Sequence, residues 1–172
     1  LDVLARLPAV RGRNHKEADR LFRELLLATH RLENIFALSA DGPVIGTAVH
    51  VSPEVHIPEM DRPWFQAVIQ SGRPVAGGFQ VDRTIGKPVA VLARPVLDEQ
   101  GRLLGVVGAA LRLAEVGRDS APVHTGPQTV WALVDGDGLP LLHRDPTAAA
   151  GKPLGPLAGM IRAETVVPRT DW

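Results

Sequence analysis

The chain has 172 residues, of which 45% are hydrophobic, and its basic and acidic side chains balance at 19 each. This composition supports a folded core and argues against a disordered chain. A formal net charge of zero argues against a nucleic-acid-binding protein, because such proteins need a basic surface to meet phosphates. No apolar run reaches the ~20 residues of a membrane-spanning helix. The absence of cysteine fits a domain outside the cytoplasm but does not establish one.

The first part of the chain predicts helices. Residues 1–7 are a candidate first helix, which a proline and a glycine then break. Asn14 and Glu17 have the spacing of a capping box, the pattern that begins many helices. Apolar residues follow at intervals of three and four, so we predict one amphipathic helix over residues 15–33.

A β-hairpin and a shorter helix are predicted next. Residues 35–40 and 44–51 are apolar strand candidates joined by an Asp-Gly turn. A loop with two prolines follows. Asp61 is the predicted N-cap of the shorter helix, and Pro63 lies in its first turn, where proline is tolerated. The Ser-Gly pair that ends at Gly72 is expected to end this helix.

Three further strands complete the pattern of one sheet. They are predicted over residues 75–81, 88–97 and 103–113, and a turn joins the last two as an antiparallel pair. The nearly continuous apolar character of these two predicts central strands covered on both faces. Gly77-Gly78 indicates either a β-bulge or a close approach of a ligand to the backbone.

The C-terminal part repeats the opening pattern weakly. Residues 117–128 contain prolines, glycines and small polar residues and are predicted to be a linker. Residues 130–134 and 139–143 then resemble the first hairpin. We therefore predict one complete module over residues 1–116 and a partial or reduced second module over residues 129–172.

The segment Asp61-Arg62-Pro63-Trp64-Phe65 carries the strongest chemical signal. It places a guanidinium beside an indole at the positive end of a predicted helix, which suits a small carboxylate or other anion. The alternative is a structural corner, in which Trp64 fills the core and Arg62 binds a loop carbonyl.

Taken in order, these pieces resemble the ligand-binding module of the double Cache family. The hairpin, Arg62-Pro63-Trp64, Gly86-Lys87-Pro88 and the last two strands carry the resemblance. It implies an α+β fold in which a long N-terminal helix packs on a PAS-like antiparallel sheet. It also implies an extracytoplasmic, periplasmic sensor of small molecules in a histidine kinase, diguanylate cyclase or chemoreceptor.

The resemblance further implies membrane tethering and a homodimer. The chain begins without Met and has no signal peptide, so we expect a fragment of a longer protein whose flanking membrane helices are absent. A parallel dimer is expected, with Leu1, Leu4 and Leu7 near its two-fold axis, because both N-termini enter the membrane from the same side.

A set of ligand-binding candidates follows from the resemblance and from the residue types. They are Arg62, Trp64, Phe65, Phe79, Asp82, Lys87 and His56. Amino-acid-sensing members of the family have tyrosines at the positions of Ile57 and Phe65, and this chain contains no tyrosine. The expected ligand is an organic acid or an amino-acid-like molecule, and the missing tyrosines favour the organic acid.

Other interpretations of these residues remain open. Asp82 and Lys87 also fit a solvated hairpin turn, and His50 and His56 fit exposed or core histidines better than a metal site. No metal or cofactor is predicted. An enzyme is not expected, because the chain has no cysteine and no nucleophile-elbow motif. The rival functions are a ligand-free dimerisation or interaction module and a cytoplasmic PAS or GAF-type cofactor-binding domain.

Overall fold

The structure of the protein, a computed structural model, describes residues 1–50, 59–113, 115, 132–134 and 140–143. The helices are α1 (Asp2–Arg6), α2 (Pro8–Arg11), α3 (His15–Leu27) and α4 (Pro63–Ser71). The strands are β1 (Leu32–Ser39), β2 (Val44–Thr47), β3 (Val75–Val81), β4 (Pro88–Leu97), β5 (Leu103–Arg112), β6 (Ala132–Val134) and β7 (Pro140–His143). The predicted α+β class is confirmed.

Five of the strands form one antiparallel sheet in the order β2-β1-β5-β4-β3. Strand β5 is central, with Phe36 of β1 opposite Gly108. A side chain on Gly108 would collide with the Phe36 ring, so the glycine makes room for an aromatic residue on the neighbouring strand. The predicted antiparallel pair of strands over residues 88–113 is confirmed as β4 and β5.

Each face of this sheet packs against different helices. Helices α1, α2 and α3 cover one face, where Val10, Phe22 and Val107 lie in one apolar cluster. Helix α4 covers the other face, where Trp64, Val68 and Val106 belong to a second cluster. Neighbouring residues of β5 therefore point to opposite cores, as the period of a strand requires.

The predicted helix over residues 15–33 is too long. Helix α3 ends at Leu27, and the chain enters β1 at Leu32, which pairs with Leu111 of β5. Leu32 fits the apolar spacing of a helix, but it lies on the sheet and packs into the core under α1, α2 and α3. Pairing with β5 thus overrides a local pattern that fits a helix.

The cap of α3 and the length of β2 also differ in detail from the prediction. The Asn14 side chain accepts a hydrogen bond from the backbone N–H of Glu17, but the Glu17 carboxylate pairs with Arg20 and not with the cap. Strand β2 ends at Thr47, short of the predicted end at Val51. The Asn34 side chain accepts from the Thr47 hydroxyl, which satisfies polar groups where the strand ends.

The predicted N-terminal helix is present as α1, but its leucines face the core. Leu4 and Leu7 pack against the apolar cluster under α3, whereas Val3 is 73% exposed. The apolar side of α1 is therefore occupied by its own sheet. Leu4 and Leu7 are half-buried in this way, and the expectation that Leu1, Leu4 and Leu7 lie near a two-fold axis stays a prediction.

Strands β6 and β7 pair as an antiparallel hairpin, with Leu133 opposite Leu142. They lie at the two strand positions expected for the second module. The predicted linker over residues 117–128 and most of residues 129–172 lie outside the described residues, so the division into modules stays a prediction.

Truncating the core side of α3 should destabilise the domain strongly. Phe22 has no exposed surface, so Phe22→Ala should lower the free energy of unfolding by about 3–5 kcal/mol. Leu27→Ala is the matched control, because Leu27 is 80% exposed on the same helix and should change stability by less than about 0.5 kcal/mol. Urea unfolding followed by circular dichroism measures both values. Equal effects would show that α3 does not pack on the sheet through Phe22.

Candidate functional site

Helix α4 begins at the edge of the sheet. Pro63 is its first residue, Arg62 is its N-cap in an extended conformation, and the left-handed Gly72 with φ 63° ends it. The prediction that Asp61 caps the helix is wrong. The Asp61 carboxylate instead forms two hydrogen bonds with the Arg83 guanidinium, at 2.6 and 2.7 Å.

The Arg62 side chain joins the start of α4 to the edge strand β3. Its Nε donates to a carboxylate oxygen of Glu59 at 3.1 Å, and its Nη2 donates to the carbonyl of Val81 at 2.9 Å. Val81 lies opposite Pro88, next to the pair in which the Asp82 N–H donates to the Lys87 carbonyl. Val81 is therefore in a non-hydrogen-bonded pair, its carbonyl faces away from β4, and the arginine supplies its donor. Arg62 and Glu59 have side chains only 14% and 15% exposed, so this pair is largely removed from water.

Trp64 is a core residue of this region. It is 3% exposed, and its ring centroid lies 5.6 Å from that of Phe36. Its indole N–H donates to the Gln80 side-chain oxygen at 3.0 Å, which satisfies the polar edge of the buried ring. Phe65, also 3% exposed, meets Trp64 edge to face.

The Gly77-Gly78 pair lies at a β-bulge, as the sequence indicates. The register between β3 and β4 shifts between Ala76 and Phe79. A Cβ on Gly77 would lie 2.9 Å from the Cβ of Trp64, so this glycine allows the helix to approach the strand. The bulge and Trp64 together set the distance between α4 and β3.

Asp82 closes the turn between β3 and β4. Its Oδ1 accepts hydrogen bonds from the backbone N–H groups of Thr84 at 2.7 Å and Ile85 at 3.1 Å. Asp82 itself is 7% exposed, but the turn that it holds is solvated, since Arg83, Gly86 and Lys87 are exposed. The Asp82 side chain lies near Glu59, and its Oδ1 already accepts these two backbone N–H groups.

Two other predicted ligand residues lie away from Arg62 and Trp64. The Lys87 ammonium pairs with Glu33 at 3.0 Å, and the second oxygen of Glu33 lies 2.7 Å from Nε of Arg112. Phe79 packs with Ala90 and its neighbours on the opposite face of the sheet from Trp64. His56 lies outside the described residues.

The charges near the start of α4 perturb one another. The hydrogen bonds from Arg83 lower the pKa of Asp61 to about 2. Burial raises the pKa of Glu59 above the usual value of a glutamate, and the neighbouring Asp82 adds to this, although Arg62 and Arg83 oppose it. The site therefore contains one strongly acidic carboxyl group and one that resists ionisation.

Sequence reasoning did not select Glu59 and Gln80 as site residues. Glu59 lies three residues before Arg62, a spacing that allows an ion pair and could have been noticed. Gln80 has no sequence signal, because its partner Trp64 is brought to it only by the packing of α4 on the sheet.

A cavity of about 260 Å³ lies elsewhere, between Leu1 and strands β3 and β4, with Leu92 and Arg94 on its wall. In the described part of the chain, no three metal-binding side chains form a cluster. The helices that the structure describes are all too short or too polar to cross a membrane.

The family model named Cache domain (dCache_1) matches residues 1–166, so the chain belongs to the Cache domain family. A comparison of the sequence with curated proteins gives no match. The expected family is thus confirmed over nearly the whole chain.

Solved sensor domains of bacterial receptors share this fold. The chain is similar to the ligand-binding domain of the Pseudomonas fluorescens chemoreceptor CtaA in complex with L-isoleucine (TM-score 0.69, 22% identity, 89% of this chain and 61% of that chain). It is also similar to that of the Pseudomonas aeruginosa PAO1 amino acid chemoreceptor PctB in complex with L-Arg (0.67, 24%, 84% and 60%). The sensor domain of the V. cholerae histidine kinase DctB is a more distant match (0.56, 15%, 74% and 47%). The chain spans less than two thirds of the length of each.

The Asp61–Arg83 pair should be visible in a titration. A lowered pKa means that the pair stabilises the folded state above the ordinary aspartate pKa of about 3.9 and loses this effect as the pH falls towards about 2. Carboxyl chemical shifts measured by NMR should give a pKa near 2 for Asp61, and Arg83→Gln should raise it towards the ordinary value. Arg73→Gln, at the opposite end of α4, should leave it unchanged. An Asp61 pKa that does not respond to Arg83→Gln would show that the pair does not form in solution.

Proposed function

We propose that this chain is the extracytoplasmic ligand-binding part of a membrane-anchored bacterial receptor. Its membership of the Cache domain family and its shared fold with sensor domains of chemoreceptors and of a histidine kinase support this. The domain binds a small molecule and passes the signal to a cytoplasmic output domain by shifting an equilibrium between two arrangements of the receptor. We propose no catalysis and no cofactor for it.

The proposed ligand is a small organic acid bound at Arg62. The single observation that carries this proposal is an arginine side chain only 14% exposed at the start of a helix, where the helix dipole also favours an anion. Among the described residues, Glu59 and Val81 accept from its Nε and Nη2, and none accepts from its Nη1. A carboxylate could therefore reach the third nitrogen of the guanidinium.

The neighbouring residues favour an acid without an amino group. The solved relatives CtaA and PctB were crystallised with L-isoleucine and L-Arg, so amino acids are the first comparison. Here Phe65 is buried and has no hydroxyl, and Oδ1 of Asp82 already accepts two backbone N–H groups. Fewer groups remain to bind an ammonium, which supports a monocarboxylate or dicarboxylate.

The remaining candidates have different proposed roles. Trp64 and Phe65 support the site from beneath by fixing α4 on the sheet, since both are buried. Phe79 and Lys87 would join the ligand only through a change in their present packing and pairing. His56 precedes Glu59 in the chain and stays a candidate on the resemblance alone.

Removal of the guanidinium should weaken binding of an organic acid. Arg62→Ala should cost roughly 1.5–3 kcal/mol of binding free energy, the value of a charge-assisted hydrogen bond. A thermal-shift screen of monocarboxylates and dicarboxylates finds the ligand, and calorimetry then compares the variants. Arg73→Ala is the matched control, because this exposed arginine lies just beyond the other end of α4. A ligand whose affinity is the same in wild type and Arg62→Ala would place the site elsewhere.

A ligand-free interaction module is the second candidate function. The burial of Trp64 and the occupation of Arg62 by Glu59 and Val81 favour it, because both residues already have structural partners. A screen of organic acids and amino acids without any hit would support this alternative over a sensor.

We also propose that the receptor is a parallel homodimer tethered by flanking membrane helices. The exposed side of α1 is the proposed contact, because Val3 is its large exposed apolar residue. In the full-length receptor, Val3→Cys should give an efficient disulfide-linked dimer. Leu4→Cys is the control and should crosslink poorly, since Leu4 packs into the core. Efficient crosslinking from Leu92→Cys on the sheet, with none from Val3→Cys, would show that α1 is not the interface.

A further inference from the structure

Glu59 already occupies part of the proposed anion site. Its carboxylate lies 3.1 Å from Nε of Arg62, in the position where a ligand carboxylate would form one of two parallel hydrogen bonds. Both side chains are largely buried, so the pair is not a loose surface contact that solvent weakens. A ligand carboxylate that binds the Nε edge of the Arg62 guanidinium must therefore compete with an internal carboxylate.

The described charges around this point are already acidic. Three carboxylates, those of Glu59, Asp61 and Asp82, lie near two guanidinium groups, those of Arg62 and Arg83. Arg83 donates two hydrogen bonds to Asp61, so this guanidinium is already paired with an internal carboxylate. This cluster has one more negative charge than positive charges, and an incoming anion would add another negative charge.

We propose that an organic acid displaces Glu59 from Arg62 and that Glu59 takes up one proton as it is displaced. The inference rests on the proposed function and adds the regulation of its site. The exchange is balanced in charge: the ligand anion replaces the Glu59 anion beside the guanidinium, and the proton from solvent neutralises the carboxylate that has lost its partner. Glu59 is thus the residue that couples ligand affinity to pH.

The proton uptake follows from what Glu59 faces after the exchange. Burial already favours its neutral form, and Arg62 is a charge that holds it ionised. Once the ligand takes the Arg62 nitrogens, the charges near Glu59 among the described residues are the carboxylates of Asp82 and Asp61 and the Arg83 guanidinium, which Asp61 neutralises. An unpaired buried carboxylate raises the free energy of the folded protein, so protonation of Glu59 gives the state of lower free energy.

The consequence is a receptor that responds to an acid more strongly when the medium is acidic. Above the pKa of Glu59, each rise of one pH unit should weaken binding about tenfold, because one proton is required for each ligand. A ligand that used only the third nitrogen of the guanidinium would show no such dependence. The slope of affinity against pH therefore distinguishes displacement from simple addition.

Proton uptake can be measured directly in the wild-type domain. Isothermal titration with pyruvate or lactate, at about pH 7 and in two buffers of different ionisation enthalpy, should show uptake of about one proton per ligand bound. Both probes are ionised throughout this range, so their own titration does not contribute. Binding without proton uptake would overturn the inference and leave the proposed function intact.

The variant Glu59→Gln gives the second measurement. It removes the competing charge and keeps the shape of the side chain, so at about pH 7.5 it should bind the same probe at least about tenfold more tightly, with little dependence on pH between about 5.5 and 7.5. Glu99→Gln, in the exposed turn between β4 and β5, should behave as wild type. Far-UV circular dichroism checks that each variant is folded.

The outcomes separate the two proposals. Binding by Glu59→Gln alone would overturn the displacement, because the internal carboxylate would then block the site and not leave it. Equal affinity and equal pH dependence in wild type and Glu59→Gln would overturn it while a ligand site at Arg62 remained. No binding of pyruvate, lactate or any other organic acid by either protein would overturn the carboxylate ligand itself, and the inference with it.

Discussion

The burial of β5 on both faces is the constraint on which the rest of the structure depends. Val106 points to the core under α4 and Val107 to the core under α1, α2 and α3, so neither face of the sheet can be left in water. Helices must therefore cover both sides, and the chain supplies three short ones before the sheet and one between its hairpins. β1 and β4 flank β5, so the edges of this sheet are β2 and β3. The Arg62 contact lies at the edge formed by β3.

That edge explains why the arginine lies where it does. An edge strand has backbone groups without a neighbouring strand, and the Val81 carbonyl is one of them, because it faces away from β4. Arg62 fills this need and at the same time places a guanidinium at the start of α4. Arg62 thus holds the fold together and can also bind an anion, and both roles use the same guanidinium nitrogens.

The surroundings of Asp61 and Glu59 determine the direction in which each pKa is shifted. Asp61 is held ionised by Arg83, whereas burial works against the charge of Glu59. Two carboxyl groups two residues apart therefore have pKa values shifted in opposite directions, because one has a dedicated guanidinium and the other is largely withdrawn from water. A sensor built on such a pair can couple its ligand to protons without any further residue.

The sequence by itself determined the elements that rest on local chemistry. The short helix from Pro63 to Gly72 and the antiparallel pair β4–β5 were predicted, and a bulge was one of two alternatives at Gly77, because proline, glycine and apolar periodicity act within a few residues. The tertiary structure alone decided where α3 ends, which way Leu4 and Leu7 face, and that Asp61 binds Arg83 and does not cap a helix. It also decided that Phe79 lies across the sheet from Trp64 and that Glu59 occupies Arg62. These outcomes depend on strand register, on the side of the sheet that each residue reaches and on the free energy of burying charge, and no local pattern contains that information.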